Sequence, residues 1–115
     1  MSISERKVTM VRPDAEYLYE KAMNGQGKDA PDEVLEYFDR AIAMDPGYVT
    51  ALNEKANFLD QIGKLDEALT CYDRALVLDP GSAEAWFNKG LTLKKLGKEK
   101  DAEACINRGI ELAVG

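Results

Sequence analysis

A tripeptide that returns at a fixed distance constrains this chain more than any other feature. Asp45-Pro46-Gly47 occurs again 34 residues later as Asp79-Pro80-Gly81, and the same displacement runs through most of the sequence. Four sets of residues share it: Lys21, Lys55 and Lys89; Ala22, Ala56 and Gly90; Arg40, Arg74 and Arg108; Ala41, Ala75 and Gly109. A period of this length is typical of one supersecondary unit copied in tandem, which buries its apolar face only against its neighbours. It predicts repeats over 15–48, 49–82 and 83–115, preceded by an N-terminal segment, 1–14.

Within the middle copy the apolar spacing predicts two helices. Leu52, Ala56 and Leu59 recur at intervals of four and three residues, which indicates a helix over roughly 48–62. Gly63 is suited to close that helix in the left-handed conformation. A second helix is expected from about residue 65 to 78, where Pro80 prevents its continuation. Each copy is therefore predicted to be an antiparallel helix pair, and the chain to be all-α with six helices.

The first copy departs from this pattern at its turn. Gly25 and Gly27 are expected to end its first helix early, and Pro31 to begin the second. This predicts a shorter first helix and a looser turn than in the other two copies.

The repeat resembles the tetratricopeptide repeat (TPR). The third copy reads Trp86-x2-Lys89-Gly90-x2-Leu93 and then Ala102-x3-Ile106, and the middle copy places Ala68-x3-Tyr72 before Pro80. The resemblance covers about 15–115 and implies a right-handed superhelical solenoid. No separate C-terminal capping helix is expected after the third copy. Some of its apolar residues are therefore expected to be exposed: Leu96, Ile106, Ile110 and Leu112.

Lysine stands at positions 21, 55 and 89, where the resemblance leads one to expect leucine. One reading is a buried aliphatic stem whose amine reaches water. The other is a series of ion pairs to carboxylates of the neighbouring repeat. The sequence leaves both open.

Composition excludes several functions. The net charge is −6, with −5 in residues 15–48 and −3 in 49–82, so nucleic acid is not expected as a partner. The apolar runs are too short to span a membrane, and no signal peptide is recognisable, so a cytoplasmic location is expected. The chain has no histidine, and Cys71 and Cys105 are one period apart, too far for a disulfide. We therefore expect no catalytic residue, metal site or cofactor.

The resemblance also implies a binding surface, the concave groove lined by the first helix of each repeat. Nine residues are predicted to line it: Tyr19, Met23, Asn53, Glu54, Asn57, Phe87, Asn88, Leu91 and Lys94. The asparagines are poor helix formers that offer a donor and an acceptor to a peptide backbone. A groove of this kind binds a peptide or helical segment of a partner protein.

Some members of the family grip acidic chaperone tails with a carboxylate clamp. The matching positions here hold Tyr19, Met23, Glu54, Glu84 and Asn88, two of which are acidic, so no such clamp is expected. The favoured function is a non-enzymatic interaction module or adaptor. The alternative is a self-assembling scaffold, as a weak homodimer or by end-to-end stacking through the last repeat.

Overall fold

The structure, a computed structural model, describes residues 14–115, and every regular element among them is an α-helix. The six helices are α1 (Ala15–Gly25), α2 (Pro31–Met44), α3 (Val49–Gln61), α4 (Leu65–Leu78), α5 (Ala83–Lys95) and α6 (Glu99–Val114). They pack as two compact units, an N-terminal unit described from Asp14 to Pro46 and a C-terminal unit, Gly47–Gly115. The all-α fold class is confirmed. The segment expected over 1–14 lies outside the described residues except for Asp14.

The helix ends follow from local chemistry. Gly63 has φ +85°, the left-handed conformation expected where α3 gives way to α4. The Asp14 side chain caps α1 by accepting from the Tyr17 amide at 2.8 Å, and the Ser82 hydroxyl caps α5 by accepting from the Ala85 amide at 3.2 Å. As predicted, α1 is the shorter first helix, with 11 residues against 13 in α3 and in α5.

In the N-terminal unit, α1 packs against α2. Leu18 and Ala22 of α1 and Phe38 and Ala41 of α2 have at most 2% of their surface exposed. Lys21 is exposed, and its amine lies about 6 Å from the ring centroids of Tyr17 and Tyr37, at 6.0 and 5.8 Å. It therefore covers aromatic surface rather than burying its stem in the core.

In the C-terminal unit, each helix packs against the next, from α3 to α6. The core residues Leu52, Leu59, Ala68, Tyr72 and Ala75 are nearly inaccessible, as the apolar spacing predicts. The Trp86 indole donates a 2.8 Å hydrogen bond to the Pro80 carbonyl, which ties α5 to the turn before it.

At Lys89 the structure distinguishes between the two interpretations of the repeated lysine, a buried stem with its amine in water and an ion pair to the neighbouring repeat. Its amine lies 2.7 Å from an Asp73 carboxylate oxygen on the preceding repeat, and 5.6 Å from the Trp86 ring centroid. This is an ion pair between repeats, not a free amine. Because the Asp73 side chain is 56% exposed, the pair contributes little to stability.

Both cysteines are buried thiols outside any disulfide. Burial raises the pKa of the Cys105 thiol, which the neighbouring Lys89 amine only partly offsets. These side chains act as small apolar residues of the core. At the end of the chain, Ile110 is 50% exposed while Ile106, Leu96 and Leu112 are half-buried. Self-association through this surface stays a prediction.

The two helices of the third pair, α5 and α6, approach each other more closely than alanine at their contact would allow. A Cβ placed on Gly109 would stand 2.9 Å from the Ala83 carbonyl oxygen and 3.1 Å from the Phe87 amide nitrogen. Gly90 is equally tight, since a Cβ there would meet the Ala102 carbonyl oxygen at 2.9 Å. The first two repeats hold alanine at the corresponding positions, so α5 and α6 have come together around glycine.

We expect Gly109→Ala to lower the free energy of unfolding by about 1–3 kcal/mol, although it makes the third repeat more like the others. The added methyl group meets backbone atoms, which cannot move aside without shifting a helix. Chemical denaturation followed by circular dichroism measures the change.

The matched control is Gly81→Ala in the preceding turn, where the nearest atom to a Cβ is an Asp79 oxygen at 4.0 Å. It should change stability by less than about 1 kcal/mol, because it meets no atom closely. Equal stability of the wild type and Gly109→Ala would contradict the close approach.

Candidate functional site

The nine predicted groove residues are divided between the two units. Tyr19 and Met23 lie on α1 in the N-terminal unit. The Tyr19 ring stacks at a tilt on Phe38, with 6.4 Å between centroids, and the Met23 sulfur accepts from the Gln26 side-chain amide at 3.3 Å. Both side chains are half-buried. They contribute to packing within their own unit.

The other seven residues lie on α3 and α5 of the C-terminal unit, where side chains of the two helices meet. We call this surface the α3–α5 face: Asn53, Glu54, Asn57 and Asp60 of α3, with Glu84, Phe87, Asn88, Leu91, Lys94 and Lys95 of α5. The Asn88 side-chain amide donates to Asn57 Oδ1 at 3.3 Å, across 31 residues of sequence. The structure therefore brings together two of the predicted asparagines.

A third helix contributes to this pair. Tyr72 of α4 is only 2% exposed, yet its hydroxyl reaches the α3–α5 face and donates a hydrogen bond to Asn57 Oδ1. Burial raises the pKa of Tyr72 well above its ordinary value, and the charges of Asp60, Glu54 and Glu84 raise it further, while the Thr92 hydroxyl acts in the opposite direction. The phenol is therefore neutral and keeps its donor proton at every physiological pH.

Beside the asparagines, Asp60 accepts two hydrogen bonds from α5. The donors are the hydroxyl of Thr92, which is fully buried, and the amine of Lys95, which is 54% exposed at its side chain. The carboxylate thereby satisfies a buried hydroxyl and fixes the register of α3 against α5. Asp60 and Lys95 are occupied within the protein.

The asparagines keep polar atoms that nothing else in residues 14–115 uses. Asn57 Nδ2 and Asn88 Oδ1 make no hydrogen bond there, and both side chains are half-buried. Asn53 differs, because its Oδ1 is shielded from solvent and has no partner among the described residues. Asn57 and Asn88 thus present one donor group and one acceptor, whereas Asn53 must rotate before its oxygen can meet a ligand.

Charge and apolar surface accompany this pair. Glu54 and Glu84 form no ion pair within the described part of the chain. Phe87 and Leu91, one turn apart on α5, are 41% and 39% exposed. Lys94 lies beyond them at the end of α5, and it lines a groove of about 380 Å³ with residues of α6. The face combines acidic, amide and apolar groups.

Sequence analysis missed Tyr72 and Thr92 as members of this site. Tyr72 was expected only to fill the core, which it also does. A signal was present, since the equivalent positions of the other repeats hold Phe38 and Ile106, neither with a polar atom. A hydroxyl that appears in one copy of a buried position requires a partner there.

No group of histidine, cysteine, aspartate and glutamate side chains in residues 14–115 is arranged to hold a metal ion. Over the same residues, no helix is both long and apolar enough to cross a membrane.

The network makes a stability prediction. Asp60→Ala should lower the free energy of unfolding by about 1–3 kcal/mol, because it leaves the buried Thr92 hydroxyl without an acceptor. Thr92→Val in the Asp60→Ala background should recover part of that loss by removing the orphaned hydroxyl. Urea denaturation of the four members of this cycle provides the measurement.

Lys95→Ala serves as the control, since it removes only the exposed partner of Asp60 and should cost no more than about 1 kcal/mol. If Thr92→Val adds its full cost to Asp60→Ala, the two residues are not coupled and the network does not hold.

Solved structures with similar folds include three of particular interest. MamA superimposes with a TM-score of 0.84 at 23% identity over 92% of this chain and 62% of its own. YrrB, described as a TPR protein with an unusual peptide-binding site, gives 0.81 at 23% over 94% of this chain and 56% of its own. The second TPR of Spaghetti (RPAP3), bound to the HSP90 peptide SRMEEVD, gives 0.79 at 21% over 85% and 91%.

The chain thus spans about three fifths of MamA and YrrB, at 62% and 56%. A comparison with curated proteins finds no match. Three family models match the sequence: a TPR repeat at 59–97 and tetratricopeptide repeats at 37–70 and 83–113. Together with the paired helices and the 34-residue period, these matches show that the chain belongs to the tetratricopeptide repeat family, with three repeats.

Proposed function

We propose that this protein is a non-enzymatic interaction module that holds a segment of a partner protein on the α3–α5 face. The observation that carries the proposal is the pair of amide atoms without a partner in residues 14–115, Asn57 Nδ2 and Asn88 Oδ1, on the same face as the exposed side chains of Phe87 and Leu91. Polar atoms that fix orientation next to apolar surface that supplies affinity are what peptide recognition needs. Peptide complexes of structural relatives, such as the RPAP3 repeat with its HSP90 peptide, support the same role.

The preferred segment is neutral or mildly basic, with one or two apolar anchors. Glu54 and Glu84 carry negative charge on the face without an ion pair in residues 14–115, whereas Asp60 is neutralised by Lys95. An approaching lysine or arginine gains attraction from these carboxylates, and the apolar anchors pack on Phe87 and Leu91. Lys94, at the far end of α5, leaves room for a single acidic group at that end.

An acidic C-terminal tail is not a fitting ligand. A carboxylate clamp needs cationic and amide donors, yet Glu54 and Glu84 occupy two of its matching positions and Tyr19 and Met23 two more. Of the five, only Asn88 retains the required chemistry. Likeness in fold to peptide-bound relatives therefore does not extend to their ligand.

The first functional test selects peptides from a random library displayed on phage, with the whole chain as bait. We expect enriched peptides with a basic residue near an apolar one. Phe87→Ala should weaken the best peptide about tenfold by removing an apolar contact, and Glu84→Gln should weaken it about threefold by removing a charge. Isothermal titration calorimetry measures both.

Val77→Ala is the matched control, because Val77 is 81% exposed on α4 and is not part of the α3–α5 face. Its affinity should equal that of the wild type. An enriched peptide that binds Phe87→Ala as tightly as the wild type would place the binding surface elsewhere.

The second test uses the peptide SRMEEVD, which is bound to the RPAP3 repeat in its solved structure. Repulsion by Glu54 and Glu84 should keep its dissociation constant from this chain weaker than about 1 mM. The RPAP3 repeat, titrated in the same buffer, is the positive control. A micromolar dissociation constant for this chain contradicts the absence of a clamp.

A further inference from the structure

Among the described residues of the polar network, Tyr72 lies on α4, the second helix of its repeat, whereas the others lie on α3 and α5. Its ring fills the core between helices, and its hydroxyl ends on Asn57 Oδ1 at the α3–α5 face. The equivalent residue of the first repeat, Phe38, is fully buried without a hydroxyl. The fold therefore accommodates an aromatic ring at this position without the oxygen.

The Tyr72 hydroxyl helps to fix the orientation of the Asn57 side-chain amide. Oδ1 of Asn57 accepts from both Tyr72 and Asn88, which uses both of its lone pairs. A carboxamide is planar, so fixing its oxygen also fixes its nitrogen, which lies on the other side of the group. Asn57 Nδ2 is consequently held away from Tyr72 and Asn88, and no residue of 14–115 accepts from it.

Asn88 is oriented in turn. Because its nitrogen donates to Asn57, its oxygen is the atom without a partner, and the half-buried side chain makes no other hydrogen bond within the described residues. If Asn57 turned over, two NH₂ groups would face each other unless Asn88 turned as well. In the turned arrangement the Tyr72 hydroxyl would accept from Asn57, and its own buried proton would need another acceptor, so its hydrogen bond to Asn57 Oδ1 favours the first arrangement.

We propose that Tyr72 is a positioning residue that holds the Asn57–Asn88 pair as one N–H donor and one C=O acceptor for a single peptide unit of the partner. The inference rests on the proposed function and deepens it, because it selects the conformation of the segment. Inside a helix, the backbone N–H and C=O groups bond to one another and have nothing to offer such a pair. An extended segment leaves these groups available. The partner therefore binds as an extended segment and not as a helix.

A thermodynamic cycle between protein and peptide tests this. The best peptide from the phage selection is resynthesised with each backbone amide replaced in turn by an ester, which removes one N–H and weakens one carbonyl acceptor. For the wild type we expect one internal position where the ester weakens binding about fivefold, the value of one hydrogen bond. In Tyr72→Phe the penalty at that position should fall below about twofold, since the asparagines are no longer held.

Several variants separate positioning from loss of structure. Tyr72→Phe should fold, because Phe38 fills the equivalent buried place in the first repeat. Tyr37→Phe, which removes a tyrosine hydroxyl in the N-terminal unit, should keep the full ester penalty. Asn57→Ala should abolish the penalty. Placing 4-aminophenylalanine at position 72 restores a donor at the same place and should restore the penalty.

The outcomes distinguish this inference from the proposed function. An ester penalty of the same size in the wild type and in Tyr72→Phe overturns the role of Tyr72 while leaving peptide binding intact. A peptide that becomes helical on binding, seen by circular dichroism, overturns the selection of extended segments. If no peptide binds the wild type, or if Phe87→Ala has no effect on the peptide that does, the proposed function itself fails and this inference fails with it.

Discussion

The close approach of two helices within each pair is the constraint on which the rest of the structure depends. Each pair has small buried residues at two equivalent positions: Ala22 and Ala41, Ala56 and Ala75, Gly90 and Gly109. In the third pair they lie against the backbone of the partner helix, Gly90 at Ala102 and Gly109 at Ala83. They bring the backbones together, so larger side chains on either side of the contact fill the remaining space and determine which faces stay open. In the third pair glycine makes this approach closer still, because even a methyl group would meet backbone atoms.

Close packing also explains how a side chain of α4 reaches the α3–α5 face. With α3 and α4 in contact, the length of a tyrosine side chain is enough to carry the Tyr72 hydroxyl through the core to Asn57. Once a polar atom is placed there, burial makes an unpaired group costly, and neighbouring residues must supply partners. The Asn57–Asn88 and Asp60–Thr92 contacts then join α3, α4 and α5 into one hydrogen-bonded network. Stability and site geometry are two consequences of the same packing.

Sequence predicted the helices well because each boundary has a local cause. Gly63 and Pro80 act within a few residues, and α2 and α4 begin at the predicted positions, Pro31 and Leu65. The polar network was not predicted, since its partners are 15 to 32 residues apart and their contacts depend on the packing of three helices. The repeat pattern also gave no sign of the network, because Tyr72 and Thr92 each occur in only one copy and are not part of the pattern that the copies share. The groove residues came from family resemblance, and their roles as ligand contacts stay predictions.

Two kinds of interaction on the α3–α5 face act at different ranges and so decide different things. The charges of Glu54 and Glu84 reach several ångströms into solvent and are screened by salt, so they bias which segments approach without fixing how they lie. The Asn57 and Asn88 amides act only at hydrogen-bonding distance and demand a particular direction from their partner. In the proposed complex, a ligand attracted by the charges must then match the direction of the Asn57 and Asn88 amides. That direction depends on the hydrogen bond from the Tyr72 hydroxyl. In the proposed complex, the surface charges therefore select the composition of the ligand, and the Asn57–Asn88 pair held by Tyr72 selects its backbone conformation.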